Sequence, residues 1–368
     1  MRADQDRYGR VMTEPSIPPD ALPVIALIEG QVGRLTLNRP KALHALTREM
    51  CELMIDALVS WRGDPAVKAI MIDHVGDRGF CAGGDIRMIA ESAALGGAEA
   101  RGFFFTEYRL NHLLFVYPKP IIAFMDGIVM GGGVGISAPA RLRIVTERTR
   151  FAMPETGIGL FPDVGGGWFL PRLPGKSGLW LALTGARLDG AECLDLGLAS
   201  HFVRSERLGE LKAEIIDDAD AIFGAPELYS VDPGTALIAQ NRETIDRLFA
   251  ADTVEAVFAD LEADGGEWAA KELATLKTKS PQSLKTTFSQ LRAGGQLHDF
   301  AANMAMEYRL AGRVVATHDF QEGVRAVIVD KDNAPSWSPQ TLSTVSDEVI
   351  EGLFAPLAPD QEWSPLMS

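Results

Sequence analysis

GFCAGGDI at residues 79–86 and MGGGVG at residues 130–135 are two glycine-rich turns, each placed between a predicted strand and a predicted helix. They are followed by two carboxylates, which lie in MPET at residues 153–156 and in FPDV at residues 161–164. Such turns expose backbone N–H groups with no side chain in the way, and a helix N-terminus adds partial positive charge behind them. Two such donors that converge on one point form an oxyanion hole, so the pattern indicates chemistry at a carbonyl group.

The sequence around these turns predicts an α/β fold. Hydrophobic runs bounded by turn residues predict strands at residues 24–29, 33–37, 67–75, 120–125 and 142–145. Helical apolar spacing covers residues 46–61, and each glycine turn follows a strand, which is the crossover pattern of an α/β protein. Each glycine turn is therefore predicted to lie directly after a strand.

After about residue 200, helical patterns replace the strand signals. Helical stretches are predicted at residues 208–223, 245–261 and 267–277. We predict four segments: a disordered N-terminal segment at 1–23, a core with the active site at 24–200, a helical C-terminal region at 201–345 and a tail at 346–368. The proline-bearing tail is expected to be loosely packed or ordered by a partner.

Composition limits the function further. The chain has 368 residues, 46% of them hydrophobic, with 50 acidic against 35 basic side chains, which argues against a nucleic-acid surface. Cys51, Cys81 and Cys193 lack CxxC spacing, so neither a disulfide framework nor a metal site is predicted. No run is long enough to cross a bilayer, and residues 1–23 are unlike a signal or transit peptide. We therefore expect a cytoplasmic protein without nucleic-acid or membrane partners.

The chain resembles the crotonase (enoyl-CoA hydratase/isomerase) superfamily, and most closely its 3-hydroxyisobutyryl-CoA hydrolase branch, over about residues 24–339. The similarity lies in both glycine turns, in MPET, and in LNRPKALHAL at 37–46, LFPDVGGG at 160–167, HDFQEGVRA at 318–326 and DKD at 330–332. The resemblance implies a spiral of ββα turns with a mostly helical C-terminal region. It also implies an acyl-CoA thioester substrate, of which coenzyme A is a part, no separate cofactor, and a possible homo-oligomer.

The resemblance assigns roles to individual residues. Gly84 and Gly132 match the two positions whose backbone N–H groups form the oxyanion hole. Glu155 matches the catalytic glutamate of the superfamily, and Asp163, its predicted catalytic partner, matches the substrate-binding acid of the hydrolase branch. Glu107 matches another substrate-contacting position.

The resemblance also indicates where the CoA portion of the substrate enters. The CoA portion is expected to lie along Lys41 and Ala42 and beside the turn that contains Ala82 and Asp85, as in the family. Lys41 is the candidate for a phosphate contact. A surface lysine without a ligand is the alternative.

The other predicted residues also have structural interpretations. Glycines are common in tight turns, Glu155 suits a helix start, and Glu107 suits a solvated helix face. Asp163 suits an N-cap, and the residues alone leave both interpretations of it open. Apolar neighbours around Glu155 favour a functional role there.

One departure from the family separates hydratase from hydrolase chemistry. Hydratases carry a second catalytic glutamate just after the second glycine turn, where this chain has Gly135. Thioester hydrolysis needs one carboxylate, an oxyanion hole and a group that orients the acyl hydroxyl. We expect Glu155 to act as nucleophile or general base and Asp163 to hold the 3-hydroxyl. The resemblance implies that the reaction converts 3-hydroxyisobutyryl-CoA to 3-hydroxyisobutyrate and CoA in valine catabolism.

Three other functions remain open at the level of the sequence, and two more are disfavoured. An enoyl-CoA isomerase, or a hydratase-like enzyme, shares most of the site, and a catalytically silent CoA-binding protein shares its fold. A two-carboxylate glycosidase would give no reason for paired oxyanion turns. A serine hydrolase is disfavoured because no Gly-x-Ser-x-Gly elbow accompanies the six histidines.

Overall fold

The computed structural model describes residues 22–366. The segment predicted to be disordered, residues 1–23, therefore lies almost entirely outside the described residues. Nine strands are formed by the described chain: β1 Val24–Glu29, β2 Val32–Leu37, β3 Ala69–His74, β4 Gly79–Cys81, β5 Ile121–Met125, β6 Ile128–Met130, β7 Leu142–Val145, β8 Arg150–Ala152 and β9 His201–Phe202.

The strands form two sheets. The larger has the order β1-β2-β3-β5-β7-β9, in which only the β1–β2 hairpin is antiparallel, and the smaller has the order β4-β6-β8 and is parallel. Three consecutive strand pairs, β3–β4, β5–β6 and β7–β8, each place one strand in each sheet. This repeat agrees with the predicted spiral of ββα turns. The smaller sheet was not anticipated from periodicity, because its strands have three residues each.

Sixteen α-helices lie within residues 22–366. They are α1 Arg48–Arg62, α2 Ile86–Ala94, α3 Ala98–Phe115, α4 Gly132–Ser137, α5 Gly166–Phe169, α6 Ser177–Thr184, α7 Gly190–Asp195, α8 Leu208–Asp217, α9 Ala225–Tyr229, α10 Arg242–Leu248, α11 Val254–Asp264, α12 Glu267–Leu276, α13 Pro281–Gln296, α14 Phe300–Val314, α15 His318–Val324 and α16 Asp347–Phe354. The predicted helical C-terminal region is confirmed.

Two predicted helical stretches are interrupted. The stretch at 245–261 contains two helices, because α10 ends at Leu248 and the Thr253 side chain accepts a hydrogen bond from the Ala256 N–H, which starts α11. The stretch at 208–223 breaks at Asp218, which is extended and caps a 3-10 turn at Ala219–Phe223. In both cases a capping side chain starts a new helical segment within a continuous apolar pattern.

Strands β3 and β5 separate two hydrophobic cores. Their alternate side chains enter one core on one face, namely Ile70, Ile72, Ile121, Ala123 and Met125. The others enter a second core on the opposite face, namely Ala69, Met71, Ile122 and Phe124, where α8 covers them with Leu208, Leu211 and Ile215. Strands buried on both faces read as continuous apolar runs, which is why the sequence predicted them well.

The tail packs on its own chain, whereas the sequence predicted loose packing or order through a partner. The indole N–H of Trp363 donates to the Phe105 carbonyl of α3 at 3.2 Å, and Arg309 of α14 pairs with Glu362 at 2.9 Å. Buried tryptophan area stabilises the segment. Among residues 22–366, no helix is both long enough and apolar enough to cross a membrane.

Candidate active site

The first glycine turn connects β4 to α2. Gly83 has a φ of +115°, a conformation that favours glycine, and Asp85 caps α2 by accepting from the Met88 N–H. Leu46 pairs with the turn: its N–H donates to the Gly83 carbonyl at 2.7 Å, and its carbonyl accepts from the Asp85 N–H at 2.9 Å. These two hydrogen bonds involve Gly83 and Asp85, the residues on either side of Gly84. The N–H of Gly84 itself has no partner within the described part of the chain.

The second glycine turn connects β6 to α4 and lies against the first. Gly131 has a φ of +45° and precedes Gly132, the first residue of α4. First-turn N–H groups of a helix have no intrahelical acceptor, so the Gly132 N–H is available to a ligand. A Cβ placed on Gly83 would lie 3.9 Å from the Gly132 nitrogen, so the two turns are in contact. The predicted pair of backbone donors is therefore brought together.

Glu155 lies on the same wall as the two turns. It begins the 3-10 turn Glu155–Ile158 after β8 and is only 5% exposed. A Cβ placed on Gly131 would lie 3.3 Å from Oε1 of Glu155 and 3.3 Å from Cα of Gly83. Oε2 of Glu155 is buried and has no hydrogen-bond partner among residues 22–366. A buried carboxylate oxygen without a partner is costly, which points to a functional requirement.

Asp163 reaches the site from the loop before α5. Its Oδ2 accepts a hydrogen bond from the hydroxyl of Tyr108, on α3, at 2.8 Å. The N-cap of α5 is Gly165, and the first-turn N–H of Gly167 donates to Glu307 and not to Asp163, so the alternative interpretation of Asp163 as a helix cap does not hold.

Glu107 is buried on α3, at 1% exposure, and is not a solvated helix residue. Its Oε1 has no hydrogen-bond partner within residues 22–366, and a Cβ placed on Gly132 would lie 2.6 Å from that atom. The carboxylate therefore lies directly beside the second glycine turn.

A cavity of about 590 Å³ unites these groups. Its walls include six of the nine predicted site residues, which are Ala82, Gly84, Glu107, Gly132, Glu155 and Asp163. Lys41, Ala42 and Asp85 do not line it: Lys41 and Ala42 are exposed on a 3-10 turn, and Asp85 caps α2 and pairs with Arg39 at 3.3 Å. A role for these three in CoA binding stays a prediction. None of the six histidines lines the cavity.

Burial and mutual repulsion determine the charge of the three carboxylates. Burial raises the pKa of Glu107 and the pKa of Glu155 well above the ordinary value, and the charge of Asp163 adds to both shifts. Burial raises the pKa of Asp163 to about 6, although the hydrogen bond from Tyr108 favours its ionised form. Like charges in one apolar cavity oppose each other's ionisation. Carboxylates with raised pKa values suit proton transfer near neutral pH.

Gly135 leaves no space for a second glutamate. A Cβ placed there would lie 2.6 Å from Cβ of Val164 and 2.8 Å from Nδ2 of Asn111. Both atoms belong to buried side chains, and Val164 has a φ of +51°. The position that carries the second acid in hydratases is therefore closed by packing in this chain.

Sequence reasoning missed a buried network that holds the Asp163 loop. Glu307 on α14 accepts from the N–H groups of Gly165 at 2.7 Å and Gly167 at 2.9 Å. Gln290 donates to Glu307 and to the Pro162 carbonyl, so both ends of the loop are fixed. Burial and the charge of Asp163 raise the pKa of Glu307 to about 8, while its hydrogen bonds act in the opposite direction. No local signal marks the role of Glu307, because the Gly165 and Gly167 N–H groups that it binds lie about 140 residues away.

Comparison with known proteins identifies the family. The enoyl-CoA hydratase/isomerase family model matches residues 32–354. The 3-hydroxyisobutyryl-CoA hydrolase, mitochondrial, of Danio rerio is 45% identical over 337 residues, covering 89% of this chain and 88% of the relative. The protein of the same name from Homo sapiens is 42% identical over 338 residues, covering 89% and 87%.

Solved structures agree with this assignment. The chain matches a carnitinyl-CoA dehydratase from Mycobacterium thermoresistibile with a TM-score of 0.89 and 42% identity, covering 93% of this chain and 98% of that one. It matches an enoyl-CoA hydratase from Rhodobacter sphaeroides with a TM-score of 0.86 and 38% identity, covering 93% and 100%. The chain therefore belongs to the enoyl-CoA hydratase/isomerase family.

Proposed function

We propose that this protein hydrolyses a 3-hydroxyacyl-CoA thioester, namely 3-hydroxyisobutyryl-CoA, to 3-hydroxyisobutyrate and free CoA, as a step of valine catabolism. The observation that carries the proposal is the unpartnered, buried Oε2 of Glu155 beside the two glycine turns. Relatives that are 41–45% identical over most of the chain have the name 3-hydroxyisobutyryl-CoA hydrolase.

In the proposed mechanism the thioester oxygen accepts hydrogen bonds from the N–H groups of Gly84 and Gly132. These donors stabilise the negative charge that develops on that oxygen when the carbonyl carbon is attacked. Glu155 attacks the carbon to form a mixed anhydride and release the CoA thiolate, and water then cleaves the anhydride. Alternatively, Glu155 removes a proton from a water molecule that attacks directly. Both routes require ionised Glu155, and a desolvated carboxylate is the more reactive base or nucleophile.

Asp163 and Glu107 select the acyl group. The Asp163 carboxylate is held by Tyr108 and has oxygen lone pairs left to accept a hydrogen bond from the 3-hydroxyl. Glu107 lies next to Gly132, so its carboxylate faces the position of the acyl chain in this mechanism. A substrate without the 3-hydroxyl leaves a buried acceptor unsatisfied, which lowers its kcat/KM.

A second candidate function is hydration or dehydration, since two similar solved structures carry such names. The closed space around Gly135 disfavours it, because addition of water across a double bond uses a second carboxylate. An isomerase needs only one carboxylate and is the nearer alternative.

The test follows CoA thiol release from 3-hydroxyisobutyryl-CoA by the purified protein. Hydration of crotonyl-CoA and a double-bond shift in an enoyl-CoA are measured beside it. The proposal expects rapid thiol release and at most slow hydration or isomerisation. Hydration or isomerisation faster than thiol release would contradict it.

Two further expectations belong with this proposal. The cytoplasmic location and a homo-oligomeric state stay predictions, and the names of the curated relatives include the word mitochondrial. Cell fractionation and size-exclusion chromatography with light scattering would measure them.

A further inference from the structure

The cavity that contains Glu155 has a second group of lining residues at its open end. Arg187, Thr278 and Asn333 line it and are exposed, whereas the three carboxylates at the other end are buried. Lys279, which is partly buried, lines the same outer part. The cavity is therefore acidic at its closed end and basic at its mouth.

The two cations at the mouth lack acidic partners. Within residues 22–366, no carboxylate oxygen lies within 4.0 Å of Arg187 or Lys279, and neither side chain donates a hydrogen bond to a protein group. This is unusual in a chain with a formal net charge of −15, in which acids are abundant. Two uncompensated cations near one another repel, and an anion between them would remove that cost.

Nearby acids are engaged elsewhere. Arg325 pairs with Glu322 at 2.8 Å, with Asp330 at 2.7 Å and with Asp332 at 2.6 Å. These acids flank the segment that contributes Val327, Ile328 and Asn333 to the cavity wall. Their carboxylates contact Arg325, and none of the three lies within 4.0 Å of Arg187 or Lys279.

Lys279 extends over the backbone next to Glu155. A Cβ placed on Gly157 would lie 3.4 Å from its Nζ, so the ammonium group lies above the turn that Glu155 begins. Burial lowers the pKa of Lys279, the charge of Arg187 lowers it further, and Glu272 acts in the opposite direction. Glu272 already accepts the indole N–H of Trp180 at 2.9 Å. The ammonium group is therefore held in the cavity without a fixed counter-ion.

We infer that Arg187 and Lys279 form an anion subsite for the phosphate groups of the CoA moiety. The inference rests on the proposed function for the identity of the ligand. An acyl-CoA is uncharged at its acyl end and carries its negative charges at the nucleotide end, which matches a cavity with buried carboxylates inside and cations at the mouth. Arginine and lysine are the side chains that bind phosphate most effectively. This subsite is separate from Lys41, which does not line the cavity.

The test measures the dissociation constants of free CoA and of pantetheine, which lacks the phosphates, by calorimetry. Lys279→Met and Arg187→Gln are each expected to weaken CoA binding about tenfold, because each removes one charge-assisted contact. The ratio of CoA affinity to pantetheine affinity falls by the same factor. The KM for the acyl-CoA substrate rises accordingly, and kcat changes much less.

Lys277→Met is the matched control. Lys277 lies two residues earlier, is exposed and does not line the cavity, so this change removes the same charge away from the mouth. It is expected to bind CoA as the wild type does. Thermal unfolding of each variant checks that the fold is intact.

The possible outcomes test the anion subsite and the proposed reaction independently. Unchanged CoA affinity in a folded Arg187→Gln/Lys279→Met double variant would overturn the subsite, whether or not the wild type hydrolyses thioesters. Weakened CoA affinity in that variant, with no thiol release by the wild type from any 3-hydroxyacyl-CoA, would support the subsite and overturn the proposed function.

Discussion

The hydroxyl of Tyr108 donates a hydrogen bond to Oδ2 of Asp163 at 2.8 Å, and both side chains are buried. The bond joins helix α3 to the loop before α5, so it fixes the carboxylate that the mechanism assigns to the 3-hydroxyl. Glu107 precedes Tyr108 on the same helix and lines the same cavity. Helix α3 therefore supplies one side of the acyl-binding space.

Tyr108→Phe is expected to release Asp163 without creating a cavity in the core. A hydrogen bond to a charged group contributes about 1.5–3 kcal/mol, so kcat/KM for the 3-hydroxyacyl-CoA should fall by about tenfold or more. The pKa of Asp163 should rise further, because the bond stabilises its ionised form. Steady-state kinetics on substrates with and without the 3-hydroxyl measure this. An equal loss for both substrates would contradict a role in hydroxyl recognition.

Asp163→Asn is expected to move the acid limb of the pH profile. The charge of Asp163 is one cause of the raised pKa of Glu155, so its removal lowers that pKa. Ionised Glu155 is the active form in the mechanism, and the rise of kcat/KM with pH should therefore occur at lower pH in the variant. The maximum should also fall, because the 3-hydroxyl loses its acceptor. Profiles between about pH 5 and pH 8 measure the shift, and an unmoved or raised midpoint would contradict the coupling.

Glu307→Gln tests the network under the Asp163 loop. Glu307 accepts four donors, from Gly165, Gly167, Gln290 and Asn303, and a glutamine would place its own N–H₂ against some of them. We expect a loss of about 2–4 kcal/mol in the free energy of unfolding and a lower kcat.

Glu272→Gln is the control for this change. Glu272 is also buried in the helical region and accepts one indole N–H, but it does not line the cavity. Its replacement should reduce stability and leave the kcat of the folded protein nearly unchanged. Equal effects of the two variants on kcat would show that the network does not position Asp163.

Gly132→Ala tests the second oxyanion donor. The added Cβ would lie 2.6 Å from Oε1 of Glu107 and 3.0 Å from Cδ1 of Leu46, so the turn must shift. Loss of one oxyanion donor lowers kcat by about 100-fold to 1000-fold in other enzymes, and we expect a fall of that order. Gly312→Ala is the control, because its Cβ meets nothing within 4 Å on helix α14. A normal kcat for Gly132→Ala would contradict the role of Gly132 as an oxyanion donor.

Local sequence predicted the part of the site that lies between β4 and α5. The two glycine turns and Glu155 follow the parallel strands β4, β6 and β8, whose carboxyl ends meet at one edge, and Asp163 lies in the loop that follows. The buried strands could also be predicted from the sequence, because they are continuous apolar runs. Burial of Glu107 was suggested only by resemblance, since a helix residue with charge normally faces solvent.

The parts contributed by the C-terminal helices could not be predicted from the sequence. Glu307 meets Gly165, and Lys279 meets Gly157, across more than 100 residues of chain. Such contacts depend on the packing of α13 and α14 against the core. The sequence around a single charged residue does not indicate which distant residues it will contact. Lys279 was missed for this reason. Arg187 lies between α6 and α7 and carries no motif, whereas Lys41 was selected because its motif matched the family.

The most direct test of the central claim is CoA thiol release from 3-hydroxyisobutyryl-CoA by the wild type and by Glu155→Gln under identical conditions. Glutamine keeps the size of the side chain and removes the carboxylate that attacks the carbonyl or activates water. The account predicts rapid release by the wild type and a fall in kcat of about 1000-fold or more in the variant, with thermal stability maintained. Near-normal turnover by Glu155→Gln would contradict it.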